Sequence, residues 1–167
     1  LRAFDARFGN LPLFAEDLGT ITPEVRALRD GFDLPGMLVL QFGFDGMPDN
    51  PYLPENHVEN AVVYTGTHDN DTTVGWFASL DDQTRHFLHE KLEHANDMPA
   101  TLIRAACASP ARLAVLPMQD LLSLGTEARM NVPGTENGNW KWRFDWSDVP
   151  EDFVERFGAL AGEYRRR

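Results

Sequence analysis

The sequence predicts an α/β fold built on a parallel sheet, and three observations support this. Four short apolar segments are mostly continuous rather than alternating, which is typical of strands buried on both faces of a parallel sheet. Helical patterns fall between these segments, and Gly, Pro or polar residues bound each of them. Repeated strand–helix units join parallel strands through right-handed crossovers. The predicted strands are Leu11–Ala15, Met37–Phe42, Ala61–Thr65 and Leu113–Leu116.

Helices are predicted from their end signals and their apolar spacing. Thr22 before a proline is a good N-cap, with proline at the first helical position. No Gly-rich phosphate-binding fingerprint follows any strand, which disfavours a nucleotide-binding open sheet. The residues alone leave two architectures open, an open doubly wound sheet or a segment of a (β/α)8 barrel. The predicted helices are Pro23–Arg29, Asp81–Glu93, Pro99–Ala108 and Pro150–Arg166.

The composition indicates a globular chain and excludes several kinds of partner. Its 167 residues, 43% hydrophobic and 25% charged, suffice for one domain with a core. A net charge of −11 argues against nucleic-acid binding, which needs a basic face. The single cysteine, Cys107, excludes an intrachain disulfide and a thiolate metal cluster. No membrane-length apolar run or signal peptide is visible, so we expect a cytoplasmic protein without a membrane partner.

Polar side chains follow two of the predicted strands at the point where each strand ends. Glu16 and Asp17 follow the first strand, and the run His68–Asp71 follows the third. Chemistry in parallel α/β proteins collects at the carboxyl ends of strands, so these groups are expected to converge on one rim. Apolar surroundings hold a carboxyl group toward the protonated form that a general acid needs, and Glu16 directly follows an apolar run. Asp17 suits a capping role before the next helix.

The run His68–Asp71 has three interpretations. The first is sugar recognition, because His, Asp and Asn supply short donors and acceptors for hydroxyl groups. The second is a polar turn, and the third is a divalent-metal site, which lacks a second histidine at ligand spacing. The later loop over residues 128–146 contains Asn139, Trp140 and Trp142. That composition fits either a sugar-facing surface or aromatic packing, and an extended segment would put both tryptophans on one face.

Three long motifs carry a resemblance to a known family. They are FAEDLGTITPEVRAL from residue 14, NPYLPENHVENAVVYTGTHDNDTTVGWF from residue 50 and RMNVPGTENGNWKWR from residue 129. In this order and spacing they resemble the disproportionating 4-α-glucanotransferases, or amylomaltases, of the α-amylase clan. The resemblance covers nearly the whole chain. It implies that residues 1–167 form a single partial domain, the C-terminal half of a catalytic (β/α)8 TIM barrel with about strands five to eight.

The resemblance also implies a reaction and a role for each candidate residue. Such enzymes perform retaining transfer between α-1,4-glucans, with maltooligosaccharides as substrates and with no metal or organic cofactor. Glu16 corresponds to the general acid/base, and Asp69 to the carboxylate that holds hydroxyls of the donor sugar and stabilises an oxocarbenium-like transition state. His68 corresponds to a hydrogen-bonding partner of the same sugar, at the end of the seventh barrel strand. Asn139 corresponds to a residue lining the acceptor side.

One element of the family pattern is missing from the sequence. Retaining chemistry needs a second carboxylate about 5 Å from the acid, which acts as the nucleophile. In the family this group lies on the strand before the acid/base, in a motif like DHFRG, and no such motif occurs here. We therefore expect the N-terminal half with the nucleophile to be absent and the isolated chain to be inactive. Unpaired strand edges then predict self-association or pairing with the missing half.

Two other functions remain as alternatives at this point. Without the nucleophile, the acidic residues could belong to a glucan-binding or scaffold module that binds sugars and does not turn them over. A related α-glucan hydrolase is the second alternative, because loops largely outside this sequence decide whether water or a sugar accepts the glycosyl group.

Overall fold

The computed structural model describes residues 1–9 and 13–166, over which helices and strands alternate in a mixed α/β arrangement. Short 3₁₀ turns occupy Leu40–Phe42, Pro54–Asn56, Thr126–Ala128 and Trp146–Asp148. No helix in this part of the chain is both long and apolar enough to cross a bilayer. The elements are α1 (Arg2–Phe8), α2 (Pro23–Gly31), β1 (Gly36–Val39), β2 (Ala61–Tyr64), α3 (Thr73–Ser79), α4 (Asp82–Lys91), α5 (Ala100–Ala108), β3 (Leu113–Val115), α6 (Met118–Leu121) and α7 (Phe153–Glu163).

The three strands form a parallel sheet in the order β1–β2–β3. Gly36 of β1 lies opposite Ala61 of β2, and Val62 of β2 lies opposite Leu113 of β3. Helices α3, α4 and α5 connect β2 to β3, which is the strand–helix–strand order that parallel pairing requires. The predicted α/β class with a parallel sheet is therefore confirmed.

The core lies against β1 and β2, most of whose apolar residues are buried. Val63 is 0% exposed, and Leu88 and Leu102 from α4 and α5 are fully buried in the same core. Strand β3 is different, because Leu113 and Val115 are exposed. It has a hydrogen-bonded strand on one side only among residues 13–166. The prediction that this strand is buried on both faces is therefore wrong.

The first predicted strand is not formed in the part that the structure describes. Residues 11 and 12 lie outside the described residues, and residues 13–15 are not assigned to a strand. Even so, the N–H of Ala15 donates a 2.8 Å hydrogen bond to the carbonyl of Pro35, directly before β1. The second strand is also shorter than predicted: it ends at Val39, and the chain then turns so that Gly43 N–H bonds to Leu40 O at 2.9 Å.

Helix α3 was not predicted, and it begins directly after the polar run that follows β2. Thr72 is its N-cap and accepts a 3.1 Å hydrogen bond from Gly75 N–H. Its first turn contains two β-branched residues, Thr73 and Val74, and then Gly75. All three have low helix propensity, which is why the helix was not predicted. The glycine is required by packing, because a Cβ there would lie 2.8 Å from Asp71 Cγ and closer still to Thr126 Oγ1.

Candidate active site

A cleft with a volume of about 500 Å³ opens at the carboxyl ends of the strands. Its walls come from residues 14–18, from residues 66–72 directly after β2, and from residues 115–130, which begin at the end of β3. Glu16, His68 and Asp69 all line this cleft. The structure thus brings together three of the four residues singled out from the sequence.

Glu16 is exposed on the wall of the cleft. The apolar surroundings expected for this carboxyl group are not formed by the described part of the chain. Tyr64, the last residue of β2, lines the same cleft. Burial, and secondarily the negative charge of Glu16, raise the pKa of Tyr64 above its ordinary value. The phenol therefore stays protonated at neutral pH and is available as a hydrogen-bond donor.

Asp17 holds the segment that carries Glu16 against β1. Its Oδ2 forms an ion pair with Arg29 Nη1 at 2.5 Å, and its Oδ1 accepts a 2.8 Å hydrogen bond from Met37 N–H. The predicted capping role is wrong, because the ion pair to α2 and the edge of β1 use both carboxylate oxygens. Gly36 permits this approach, since a Cβ there would lie 2.6 Å from Asp17 Oδ2.

His68 and Asp69 lie in a tight polar turn at the mouth of the cleft. Asn70 closes the turn, because its Oδ1 accepts hydrogen bonds from Thr67 N–H at 2.9 Å and from Thr67 Oγ1 at 2.8 Å. The His68 Nε2 atom is 3.4 Å from Asp69 Oδ1, and both side chains are about half exposed. The turn thus places on one side two neighbouring residues that a continuing strand would point apart.

Two residues missed from the sequence, Arg129 and Asn131, hold this turn in place. Asn131 Nδ2 donates to Asp69 Oδ1 at 2.6 Å, and Arg129 Nη2 donates to the Asp69 carbonyl at 2.8 Å. Asn131 N–H also bonds to His68 O at 3.1 Å, and Arg129 Nε bonds to Asn131 O at 2.9 Å. Both residues belong to the RMN triplet that opens the third motif. Their contact with Asp69 was not predicted, because some sixty residues separate them from it in the sequence.

The remaining carboxylates of the cleft are used in structural hydrogen bonds. Asp71 accepts from Thr72 N–H at 2.7 Å and from Thr126 Oγ1 at 2.8 Å. Asp120 is only 1% exposed and accepts from the hydroxyl groups of Thr65 and Thr73. Within residues 1–9 and 13–166, no three His, Cys, Asp or Glu side chains are grouped so that they could hold a metal ion.

Asn139 does not belong to the lining of this cleft. Its Oδ1 accepts from Val132 N–H at 2.9 Å, and its Nδ2 donates to the carbonyl of Thr135 at 3.1 Å. The two tryptophans after it do not share a face, because Trp140 has a positive φ of 61°. The ring of Trp140 lies 5.2 Å from that of His68, whereas Trp142 stacks on Phe144.

Exposed carboxyl groups gathered at the carboxyl ends of parallel strands are characteristic of an α/β enzyme. The family model described as 4-alpha-glucanotransferase matches residues 1–148. This chain therefore belongs to the 4-alpha-glucanotransferase family.

Two curated relatives illustrate the similarity and its extent. The 4-alpha-glucanotransferase of Synechocystis sp. is 56% identical over 161 residues, which are 95% of this chain and 32% of the relative. The 4-alpha-glucanotransferase of Thermus thermophilus is 48% identical over 163 residues, which are 92% of this chain and 33% of that protein. The chain thus spans about a third of the length of the curated relatives it matches.

A solved structure shows the same fold over the length of the chain. The amylomaltase from Streptococcus agalactiae in complex with acarbose superposes with a TM-score of 0.92 at 32% sequence identity. The match covers 99% of this chain and 34% of the amylomaltase. The mixed α/β arrangement around the parallel sheet is therefore shared with that enzyme.

Proposed function

We propose that this chain is the C-terminal half of the catalytic (β/α)8 barrel of a disproportionating 4-α-glucanotransferase, with about strands five to eight. Three parallel strands joined in sequence order support this placement. The bond from Ala15 N–H to Pro35 O supports a fourth strand position beside β1 for the segment that ends at Glu16. Residues 1–167 then form one partial domain rather than a complete one. The barrel interior is completed by protein outside these residues.

The proposed reaction is retaining transfer of a glucan chain from one maltooligosaccharide to another. The observation that carries it is that Glu16 and Asp69 line the same cleft although they are far apart in the sequence. Its volume of about 500 Å³ lies within the range of about 300–1,000 Å³ that is usual for small-ligand sites. Family membership supports an α-1,4-glucan as the ligand. The proposed acid/base and nucleophilic chemistry uses carboxyl groups and needs no cofactor.

Each candidate residue has a defined role in this reaction. Glu16 donates a proton to the glycosidic oxygen as the bond from C1 breaks, and a carboxylate nucleophile forms a glycosyl ester at C1. Glu16 then takes the proton from the acceptor hydroxyl that displaces the ester. Asp69 and His68 bind hydroxyls of the donor sugar, and the negative charge of Asp69 stabilises the positive charge that develops on the sugar.

The nucleophile is assigned to a part of the protein outside these residues. It must lie about 5 Å from Glu16, and the sequence offers Asp17 and Asp71 as local substitutes. Both are engaged elsewhere, Asp17 with Arg29 and Met37, and Asp71 with Thr72 and Thr126. The 167-residue chain is therefore expected to bind glucan without transferring it.

Three further features of this proposal rest on the sequence. Asn139 is placed on the acceptor side, where its internal hydrogen bonds to Val132 and Thr135 shape the loop that faces the acceptor. The protein is placed in the cytoplasm. The isolated chain is expected to associate with a second copy of itself or with the missing half of the barrel.

The test is an assay of glucose and oligosaccharide release from maltotriose with the full-length protein that carries this chain. We expect glucose together with products longer than maltotriose, and a loss of about 10²- to 10⁴-fold in kcat for Glu16→Gln. A maltosyl fluoride donor, whose leaving group needs no proton, should restore the first step in that variant. The matched control is Glu59→Gln, an exposed glutamate beside the opposite end of β2.

Several results would contradict this proposal. Full activity of Glu16→Gln would remove its role as acid/base. Maltose and glucose without longer products would indicate a hydrolase, and bound maltotriose without any product would indicate a binding module. Transfer by the 167-residue chain, with its 18.8 kDa mass verified on the intact protein, would overturn the external nucleophile.

A further inference from the structure

We propose that Asn131 is a positioning residue that sets the orientation of the Asp69 carboxylate, and that Arg129 fixes the loop from which it does so. This inference rests on the proposed function, because it concerns how the sugar-binding carboxylate is presented. The candidate residues from the sequence account for what contacts the sugar. They do not account for what keeps Asp69, whose side chain is half exposed on a turn, in one rotamer.

The two oxygens of the Asp69 carboxylate have different surroundings. Oδ1 accepts the 2.6 Å hydrogen bond from Asn131 Nδ2 and lies 3.4 Å from His68 Nε2. No donor from residues 1–9 or 13–166 is hydrogen-bonded to Oδ2 of Asp69. The bond from Asn131 therefore fixes the rotamer through one oxygen and leaves the other for a ligand hydroxyl.

The loop that carries Asn131 is attached to the turn at the backbone as well. Arg129 donates to the carbonyl of Asp69 through Nη2 and to the carbonyl of Asn131 through Nε. The N–H of Asn131 bonds in turn to the carbonyl of His68 at 3.1 Å. One guanidinium thus bridges the two segments, so the distance from Asn131 to Asp69 is set by main-chain contacts.

An amide has an advantage over a cation at this position. It donates a hydrogen bond without bringing a formal charge, so Asp69 keeps its negative charge for the positive charge that develops on the sugar. Within the part of the chain that the structure describes, Arg129 is the one fixed cation at this turn, and it donates to backbone carbonyls instead of the carboxylate. The arrangement therefore orients the carboxylate while leaving it unpaired by any fixed cation among the residues described.

The alternative is that Asn131 merely holds the loop, and the variants Asn131→Ala and Asn131→Asp distinguish the two roles. Alanine removes the donor at every pH. Aspartate places a second carboxyl group against Asp69. The other ionisable groups that line the cleft are Glu16, Tyr64, His68, Asp71, Asp120 and Arg129. When the two carboxyls share one proton, the protonated one donates as the amide did; when both are ionised, they repel each other.

The measurement is kcat and KM for transfer from maltotriose by the full-length protein, between about pH 4 and 8. We expect Asn131→Ala to lower kcat by roughly 10- to 100-fold at every pH, with a smaller change in KM. We expect Asn131→Asp to retain activity at low pH and to lose it as pH rises through the upper pKa of the pair. The other ionisable groups of the cleft are the same in both variants, so the ratio of their rates isolates the effect of the new pair.

The matched control is Asn60→Ala, since Asn60 Nδ2 donates to the carboxylate of Asp33 at 2.9 Å beside the opposite end of β2. It should leave kcat unchanged at every pH. Equal pH profiles for Asn131→Ala and Asn131→Asp, or more than half of the wild-type kcat in the alanine variant, would overturn the positioning role. An inactive wild-type protein would instead refute the proposed function. If a variant does not fold, Asn131→Ser replaces it, with an intermediate loss of kcat expected from its shorter donor and an unchanged kcat contradicting the role.

Discussion

The backbone N–H of Thr73 donates a 2.7 Å hydrogen bond to Oδ1 of Asp120, so a residue 47 positions later anchors the start of α3. The other oxygen, Oδ2, accepts from Thr73 Oγ1 at 2.8 Å and from Thr65 Oγ1 at 2.5 Å. A carboxylate that is 1% exposed is tolerated because these three donors replace its lost hydration. Asp120 therefore joins β2, α3 and α6 in the wall of the cleft.

Asp120→Asn should lower the free energy of unfolding by about 3 kcal/mol, because both threonine hydroxyls must turn from donating to accepting and the remaining amide oxygen is a weaker acceptor than a carboxylate. Thr65→Val, which removes one of the three donors and keeps the side-chain shape, should cost about half as much. Urea denaturation of both variants checks this. A loss below about 1 kcal/mol for Asp120→Asn would show that the carboxylate is not needed there.

Gly75→Ala should destabilise the chain by about 1–3 kcal/mol, because the added methyl group meets Thr126 Oγ1 and the Asp71 carboxylate. Gly158→Ala, in α7, is the matched control, since a Cβ there meets nothing within 4 Å. That control should be neutral or stabilising by up to about 1 kcal/mol, from the helix propensity of alanine. Thermal unfolding of the pair measures the difference, and equal midpoints would contradict the packing argument.

His57 should make the stability of the chain depend on pH. It is buried, with Nδ1 2.8 Å from Ser109 Oγ and Nε2 3.1 Å from the Tyr52 carbonyl, which assigns the proton of the neutral ring to Nε2. Burial lowers the pKa of His57 in the folded chain. The unfolded chain then binds the proton more readily, so the free energy of unfolding is highest above about pH 6.5 and falls as pH drops toward the lowered pKa.

Unfolding by urea at a series of pH values tests this role for His57. His57→Gln should remove part of the loss in stability below about pH 6.5, at the cost of lower stability near neutral pH. His86→Gln, on the exposed face of α4, is the control for loss of an imidazole outside the core. An unchanged profile for His57→Gln would assign the acid sensitivity to other groups.

The isolated 167-residue chain should self-associate through the free edge of β3. Leu113 and Val115 on that strand are 42% and 38% exposed, and an edge strand with apolar side chains pairs readily with another chain. Light scattering should show a dimer or larger species, and the double variant Leu113→Lys, Val115→Lys should reduce it. A monomer at all concentrations would contradict this expectation.

Short sequence patterns predicted correctly the features that depend on neighbouring residues or on the general layout of a parallel sheet. The strand predicted over Ala61–Thr65 is observed as Ala61–Tyr64, because a short apolar run that contains two valines and a tyrosine and is bounded by polar residues strongly favours a strand. The convergence of Glu16, His68 and Asp69 on one cleft followed from the rule that parallel strands end at the same edge.

Contacts between distant residues account for what the sequence concealed. The bond between Asn131 and Asp69 spans 62 positions, and that between His57 and Ser109 spans 52, so no periodicity indicates either of them. The capping role predicted for Asp17 from a local rule is wrong, because Asp17 forms an ion pair with Arg29 instead. That ion pair forms only once α2 folds back. Tertiary hydrogen bonds, more than strand positions, therefore determine how the site is held.

The start of α3 and the loop over residues 130–140 are expected to differ in how readily their hydrogen bonds open. The amide of Thr73 is bonded to a buried carboxylate, so we expect its hydrogen to exchange with deuterium slowly. The amides of Val132 and Trp140 are bonded within residues 130–140, to Asn139 Oδ1 and Met130 O, so a local opening of that loop releases them. Because Met130 lines the cleft and the loop is proposed to face the acceptor, a bound glucan should slow deuterium uptake along this loop and leave the rate at Thr73 unchanged.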